Sequence, residues 1–341
     1  MGIAVQVIDP RDDVAFDEWF AVLHVTDKER WPDKDGWHRA ERLAWALDED
    51  GPEEHRCLVA KADDTRTLGI GDLEMFRREN LHLARLDVRV LPECRRRGIG
   101  RAIVRAAAEL AEAAGRSELG GMDEVPVRPG FVNVSAPFAL RLGFADALHM
   151  VRRDLSLPFS PATAERLRRR ATPEGYATVT FTDRWPDAFM ADRCELGLRM
   201  STDAPVGDQE LDEEVWDEAR VRHVEAQLDA MGRTRITTAA VHQATGHIVA
   251  FTEIVIPRSA PESVWQTDTL VMSEHRGHGL GLLMKVVNAA AVMEAFPAVR
   301  TVSTWNAAMN QHMIAINDEL GFEVVANSAY WLTDIERLSL D

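Results

Sequence analysis

"PECRRRGIGRAIVRAA" (Pro92–Ala107) and "SEHRGHGLGLLMKVV" (Ser273–Val287) are two versions of one pattern. Each runs from a short polar turn through closely spaced glycines into an apolar helix. Aligned without gaps, Arg95, Gly98 and Gly100 fall on Arg276, Gly279 and Gly281, 181 positions further on. A strand that enters such a turn and leaves as a helix forms an anion cradle. Residues without side chains let the backbone approach the ligand, the first helical N–H groups have no partner in the helix, and the helix dipole favours negative charge. Arg95, Arg96, Arg97 and Arg101 add positive charge to the first turn, and Arg276 with His275 or His278 adds it to the second.

The repeat extends to both sides of the turns. Upstream, "ARLDVRV" (Ala84–Val90) matches "WQTDTLV" (Trp265–Val271), with Asp87 opposite Asp268; downstream, "LGF" at Leu142–Phe144 matches "LGF" at Leu320–Phe322. A period this long is two copies of one domain rather than a solenoid. Each copy reads in the same order. An acidic helical region (Asp33–Asp48, then Asp208–Met231) precedes short alternating strands, the glycine turn, a helix, another strand, a helix closed by glycine and the last strands. The reading is of an α/β (α+β) chain with domains at 1–155 and 174–341. "SLPFSPAT" and a bridging helix fill 156–173 between them.

Composition sets the limits. The chain has 341 residues, enough for two cores, with 46% hydrophobic and 28% charged residues, as in folded soluble domains. A net charge of −17 opposes nucleic-acid binding, which needs a basic footprint, and suits amines. Three separated cysteines make neither a disulfide framework nor a zinc site. No apolar run is long enough to span a bilayer, and the first residues do not read as a secretory signal, so the cytoplasm is the expected compartment.

Neither turn has the G-x-x-x-x-G-K-[ST] of a P-loop, and the spacing of "GHGLGLL" is not that of a dinucleotide-binding turn. R-x-x-G-x-G after an apolar strand, followed some 40 residues on by L-G-F and found in both halves, resembles the Gcn5-related N-acetyltransferase (GNAT) superfamily. The tandem arrangement is similar to the architecture of mycothiol synthase. The resemblance implies two tandem domains, each a mixed, mostly antiparallel, splayed sheet flanked by helices. It implies acetyl-coenzyme A as cofactor, its pyrophosphate held by the backbone of Arg96, Arg97, Gly98, Ile99 and Gly100, or of Gly277, His278, Gly279, Leu280 and Gly281. It also implies contacts to the thioester from the strand before the turn, at Val88 and Val90 or at Thr269 and Val271. The family's second signature, N-x-x-A-x-x-x-Y, is incomplete in both copies: its tyrosine position holds Ala139 in the first and Asn317 in the second.

The second copy keeps more of that signature. Asn306, Asn310, Met313 and Asn317 read as one stripe of a helix, and Asn306 and Asn310 are the expected partners of the pantetheine amides. The first copy has Pro137 in the equivalent helix, which shortens it, and Gly and Pro break its fifth strand at "GGMDEVPVRPG". The second copy is therefore the expected catalytic half. Acetyl transfer needs a base for the amine. Glu253, alone in the apolar strand "AFTEIVIP", is either paired or faces a cleft with a raised pKa; Asp268 is the second candidate, and His223 and Glu225 are alternatives. Trp31, Trp37, Trp45 and Trp216 stand among acidic residues, which suits a small cationic amine such as an aminosugar or an amino-acid-like metabolite. The same tryptophans also read as core anchors of amphipathic helices. A monomer or homodimer is expected. The rival readings are a non-catalytic acyl-coenzyme A scaffold or sensor and a protein N-acetyltransferase.

Overall fold

In a computed structural model of the chain, residues 2–34, 36–62, 66–171, 173–203 and 205–340 are described. They form β1 (Ile3–Ile8), α1 (Asp13–Arg30), α2 (Arg39–Ala46), β2 (Glu53–Ala62), β3 (Thr67–Phe76), β4 (Leu83–Val90), α3 (Ile99–Ala113), β5 (Glu118–Pro126), α4 (Ser135–Arg141) and β6 (Ala145–Ser156). There follow α5 (Pro161–Ala171), β7 (Tyr176–Thr182), α6 (Met190–Asp203), α7 (Glu218–Ala230), β8 (Arg233–His242), β9 (Ile248–Pro257), β10 (Ser263–Val271), α8 (Leu280–Ala295), β11 (Thr301–Ala307), α9 (Gln311–Leu320) and β12 (Glu323–Asp334). No helix among the described residues is long and apolar enough to cross a membrane.

The chain forms two compact units. Unit 1 takes Met1–Met150, Val206–Leu211 and Ala326–Asp341; unit 2 takes Val151–Pro205 and Asp212–Val325. The strand order in unit 1 is β1-β2-β3-β4-β5-β12, with β12 from Ala326 onward, and in unit 2 it is β6-β11-β10-β9-β8-β7, with β6 from Val151 onward. Within unit 1 the β1–β2, β2–β3, β3–β4 and β5–β12 pairs are antiparallel, and β4–β5 is parallel. In unit 2, β7 through β10 form an antiparallel meander, and β10–β11 is parallel.

Local sequence explains most elements. Helix α1 starts where the Asp12 side chain accepts the N–H groups of Val14 and Ala15 at 3.1 and 3.2 Å. It buries Phe16, Trp19, Val22 and Leu23 along one face. Helix α3 buries Ile99, Ile103, Val104, Ala107, Ala108 and Ala111 against strands β1 to β4. Each fully buried Ile or Val contributes about 1.5–3 kcal/mol. Helix α9 ends at Gly321, whose φ of +89° closes the last turn, as the sequence reading expects.

Other expectations are corrected. The first copy's helical region is α1 and α2 rather than a single Asp33–Asp48 stretch, and in the second copy only Glu218–Ala230 of Asp208–Met231 is helix. The glycines and proline do not break β5, which runs unbroken over Glu118–Pro126. A side chain at Gly120 would collide with the Tyr330 phenol of the neighbouring strand β12, so the glycine there serves close packing.

Candidate functional site

In unit 1, strand β4 ends in a short 3-10 turn at Pro92–Cys94, and Gly98, at φ +85°, starts α3. The N–H of Ala102 to the Gly98 carbonyl, at 3.0 Å, is the bond that opens the helical ladder, so the amides of Ile99, Gly100 and Arg101 have no acceptor four residues back within the helix. A Cβ on Gly98 would meet nothing within 4 Å: the space in front of the turn is open. A Cβ on Gly100 would come within 3.0 Å of the Phe138 ring, so α4 covers the turn closely.

The four arginines of this turn divide their tasks. Arg95 donates to the Val90 carbonyl at 3.2 Å and to both carboxylate oxygens of Glu29, tying the end of β4 to α1. Arg97 folds back to the Glu93 carbonyl at 3.0 Å. Arg96 and Arg101 line the open space.

Strands β4 and β5 pair only over Leu83–Arg85 with Glu118–Gly120 and then part. The N–H of Leu91 bonds to Leu68 of β3 at 3.1 Å. Because donors alternate along an antiparallel strand, the amides of Val90 and Val88 point the other way, into the gap. The acceptance of Arg95 by the Val90 carbonyl fits that orientation.

A cavity of about 620 Å³ occupies this gap. Val88 and Val90 pack with Ile99 and Ile103 of α3, whereas Asp87 and Arg89, one residue out of phase, turn to α1. The cavity thus opens on both faces of the sheet. Gly98, Gly100 and Phe138 wall the α3 side, and Thr26, Glu29, Arg30, Arg89 and Glu124 wall the α1 side. On the α1 side, Arg89 donates to both Asp87 oxygens at 2.8 and 2.9 Å and to Asp27 at 3.1 Å. Burial pushes the Asp87 carboxyl up, but Arg89 and Arg30 outweigh it and hold it below the usual aspartate range. Burial raises Asp27 in spite of Arg89. Glu124 accepts the Trp31 indole N–H at 2.8 Å.

Unit 2 repeats the turn with Gly277 at φ +83° and Gly279 at φ +74°. Arg276 again donates to the strand end, Val271, at 3.0 Å and to a helix carboxylate, Asp203, at 2.5 Å. His278 and Tyr176 have ring centroids 5.3 Å apart, and the Tyr176 hydroxyl bonds His275 at 2.9 Å. Leu280 is buried, and a Cβ on Gly281 would lie 2.9 Å from Ile316 of α9. Strands β10 and β11 pair over Ser263–Trp265 with Thr301–Ser303, and a bulge between Gln266 and Thr269 holds Asp268. Val271 and Thr269 follow that bulge; the Thr269 and Thr252 hydroxyls lie 2.7 Å apart.

The asparagine stripe expected on a helix is not formed. Asn306 lies on strand β11, and Asn310 is the N-cap of α9, accepting the Met313 N–H at 3.1 Å. Asn317 is fully buried; it accepts Lys285 at 2.9 Å and donates to Asn306 at 2.6 Å. Burial alone pulls the Lys285 ammonium down to about 7.

Glu253 is the paired kind of buried carboxylate. It accepts Thr237 at 2.9 Å and the Trp185 indole at 3.1 Å, with Arg235 at 3.7 Å. Burial pushes it up, yet Arg235 and Arg193 outweigh burial and hold it below the usual glutamate range, opposite to a cleft-facing base. Asp268 is pushed up to about 6, by burial first and by the Glu253 charge second. Glu225 accepts the Trp185 N–H at 2.7 Å and pairs with Arg222, while His223 is half-buried on α7. The tryptophans already hold intramolecular cations. Arg42 stacks on Trp45 at 3.8 Å and Trp37 at 4.9 Å, and Arg193 and Arg220 lie over Trp216 at 4.3 and 4.6 Å.

The sequence reading did not single out Glu29, Arg30, Glu124 or Phe138. The available signals were a charged pair in the last turn of an amphipathic helix and the adjacent acids Asp123 and Glu124 in the strand "MDEVP".

The cavity suits coenzyme A on structural grounds. An open cradle of first-turn amides lies beside Arg96 and Arg101, and the Val88 and Val90 amides face the gap where a carbonyl would need donors. Comparison agrees. Residues 16–144 match the model of the acetyltransferase (GNAT) family. No curated protein matches the sequence. Among solved structures, a tandem GNAT protein from the clavulanic acid biosynthesis pathway, determined without acetyl-coenzyme A, is 28% identical. The match covers 98% of this chain and 99% of that one, with a TM-score of 0.79. A GCN5-related N-acetyltransferase from Sphaerobacter thermophilus shares the fold at 15% identity over 98% of this chain and 96% of that one, with a TM-score of 0.69. A fungal glucosamine N-acetyltransferase region, within a multi-domain GH3 β-N-acetylglucosaminidase, shares it at 13% identity, over 97% of this chain and 38% of that one, with a TM-score of 0.67. With residues 16–144 matched by the family model and the whole length similar to a tandem GNAT structure, the chain has the tandem GNAT fold and is similar to N-acetyltransferases of that family.

Proposed function

We propose that unit 1 is the acetyl-transferring half, with acetyl-coenzyme A on the α3 side of its cavity and a small amine acceptor on the α1 side. The observation that carries this is the through-sheet cavity bounded by the cradle, the Val88 and Val90 amides and Glu124. Bound acetyl-coenzyme A supplies an activated acetyl thioester. The Ile99, Gly100 and Arg101 amides, with Arg96, bind phosphate charge. The Val88 and Val90 amides donate to the carbonyl oxygen as charge develops on it. Glu124 takes the proton that the acceptor's ammonium sheds, so that the amine nitrogen can bond to the acetyl carbon while the carbon–sulfur bond breaks and the thiolate leaves. Ala139 stands at the family's tyrosine position, so the second proton that the nitrogen loses as the amide forms passes through water to the leaving thiolate, giving the free thiol.

Calorimetric titration with acetyl-coenzyme A tests the assignment. Asn tolerates a left-handed backbone, so Gly98→Asn keeps the turn and fills the cradle. It should weaken binding by at least about tenfold, whereas Gly279→Asn should leave that binding unchanged. The reverse result favours a second reading, chemistry in unit 2, for which the raised carboxyl of Asp268 in the β10 bulge is the supporting observation.

A further inference from the structure

The α1 side of the unit 1 cavity is a ring of charged groups, and most of them are matched. Glu29 holds Arg95; Arg89 holds Asp87 and Asp27; Glu124 accepts Trp31. Arg30 is the exception. It ends α1, lines the cavity and is half-buried, yet among the described residues its side chain forms no hydrogen bond and no ion pair. A guanidinium carries five N–H donors in a rigid fork that matches a carboxylate. Asp87, Glu124 and Asp27 act favourably on the Arg30 charge, though burial and the nearby Arg89 outweigh them and pull the guanidinium below its ordinary range, and its N–H groups are open to the cavity rather than bonded within the chain. Its unbonded N–H fork on the cavity wall is available to an anion that enters from outside the chain. The phosphates of the cofactor do not supply it, because their cradle is on the α3 face and Arg30 is on the α1 face.

We propose that the acceptor amine carries a carboxylate, and that Arg30 binds this group while Glu124 faces the ammonium. The substrate class is then a small zwitterionic amine, an amino acid or a compound built like one, rather than a purely cationic amine such as an aminosugar. Two opposite charges on one small molecule match the two opposite charges on the wall, and their separation selects the acceptor. Arg30 is a specificity-determining residue; the bonds made and broken at the acetyl group are unaffected by it.

This inference rests on the unit 1 reading, and the test separates the two. Acetyl transfer is measured for α-, β- and γ-amino acids against their carboxamides, with glucosamine alongside, using the full-length protein. Calorimetric binding of acetyl-coenzyme A, which involves no acceptor, is measured in parallel for every variant. At least one amino acid should exceed its carboxamide in kcat/KM by about tenfold or more, the size of one charge-assisted bond. Arg30→Gln should bring the acid down to the level of its amide, mainly through KM, with the amide rate and the acetyl-coenzyme A affinity unchanged. Arg30→Lys should restore part of the preference. The proposal is overturned if acids and amides are equal substrates, if Arg30→Gln keeps the preference, or if only glucosamine is acetylated. It is overturned equally if no acid turns over while acetyl-coenzyme A binds. Failure of unit 1 to bind acetyl-coenzyme A sinks the underlying reading, and this one with it.

Discussion

Arg96 and Gly277 occupy the same place in the two glycine turns, and both adopt a left-handed backbone, at φ +64° and φ +83°. Only one of them is a glycine. In unit 1 the turn therefore carries backbone strain in order to place a guanidinium on the cavity wall. Arg96→Gly should relieve that strain and raise stability by about 1 kcal/mol. It should also weaken acetyl-coenzyme A binding and flatten its salt dependence, because one cation is lost from the cradle. Thermal unfolding and calorimetry at two ionic strengths check both. A variant that loses stability and binds unchanged would show that Arg96 does not face the cofactor.

Glu124 and Glu253 should behave differently when each is changed to glutamine. Loss of a general base costs about 10²–10⁴ in rate, so Glu124→Gln should lower kcat by that range with unaltered acetyl-coenzyme A affinity and a small change in Tm. Glu253 is locked to Arg235, Thr237 and Trp185 in the core of unit 2. Its glutamine variant leaves a buried arginine without its counter-charge and should cost about 3–5 kcal/mol in stability. Steady-state kinetics with thermal unfolding separates the two, and an inactive but fully stable Glu253→Gln protein would move the chemistry to unit 2.

Lys285 makes the stability of unit 2 depend on alkaline pH. Its folded pKa, about 7, is far below that of an unfolded lysine, so between pH 7 and about 10.4 the unfolded chain binds more protons than the folded one. Stability should rise with pH across that window, and the penalty is largest below pH 7. Lys285→Met removes the titrating group, so its gain over wild type should be several kcal/mol at pH 6 and should shrink toward pH 10. Denaturant unfolding of both proteins at pH 6, 8 and 10 measures this. Parallel pH profiles would mean that Lys285 keeps its ordinary pKa.

Asp268 has the opposite sign. Its folded pKa of about 6 is above the unfolded value, so between about pH 4 and 6 the folded state binds the extra proton and stability falls as pH rises. Asp268→Asn should remove that slope and stabilise the protein above pH 6 by about 2–3 kcal/mol. Chemical denaturation between pH 4 and 7 reads the slope directly, and a wild-type profile that rises through this range would refute the raised pKa.

The sequence by itself determined the repeat, the two cradles and the helix faces behind them. These are local properties. Gly98 and Gly279 are visible because a left-handed helix start favours glycine, and the buried face of α3 is visible because its apolar residues recur at helical spacing. Glu253 was legible as an anomaly in an apolar strand, but its state depends on Trp185, 68 positions away in the chain, and on Arg235 in the next strand. Local pattern does not encode such pairing. Asn306 and Asn317 share a helical spacing in the sequence, yet a strand end and a helix separate them in the fold, and they meet by a side-chain hydrogen bond instead. The membership of β12 is likewise a tertiary matter. From Ala326 onward the C-terminal strand completes the sheet of unit 1, beside β5, because backbone pairing is open to any strand of suitable length and pattern wherever it lies in the chain. The same holds for the α1 side of the cavity. Arg30 reads in sequence as one more charge at a helix end, and only the bonding of its neighbours to other partners leaves its N–H groups without a hydrogen bond on the wall.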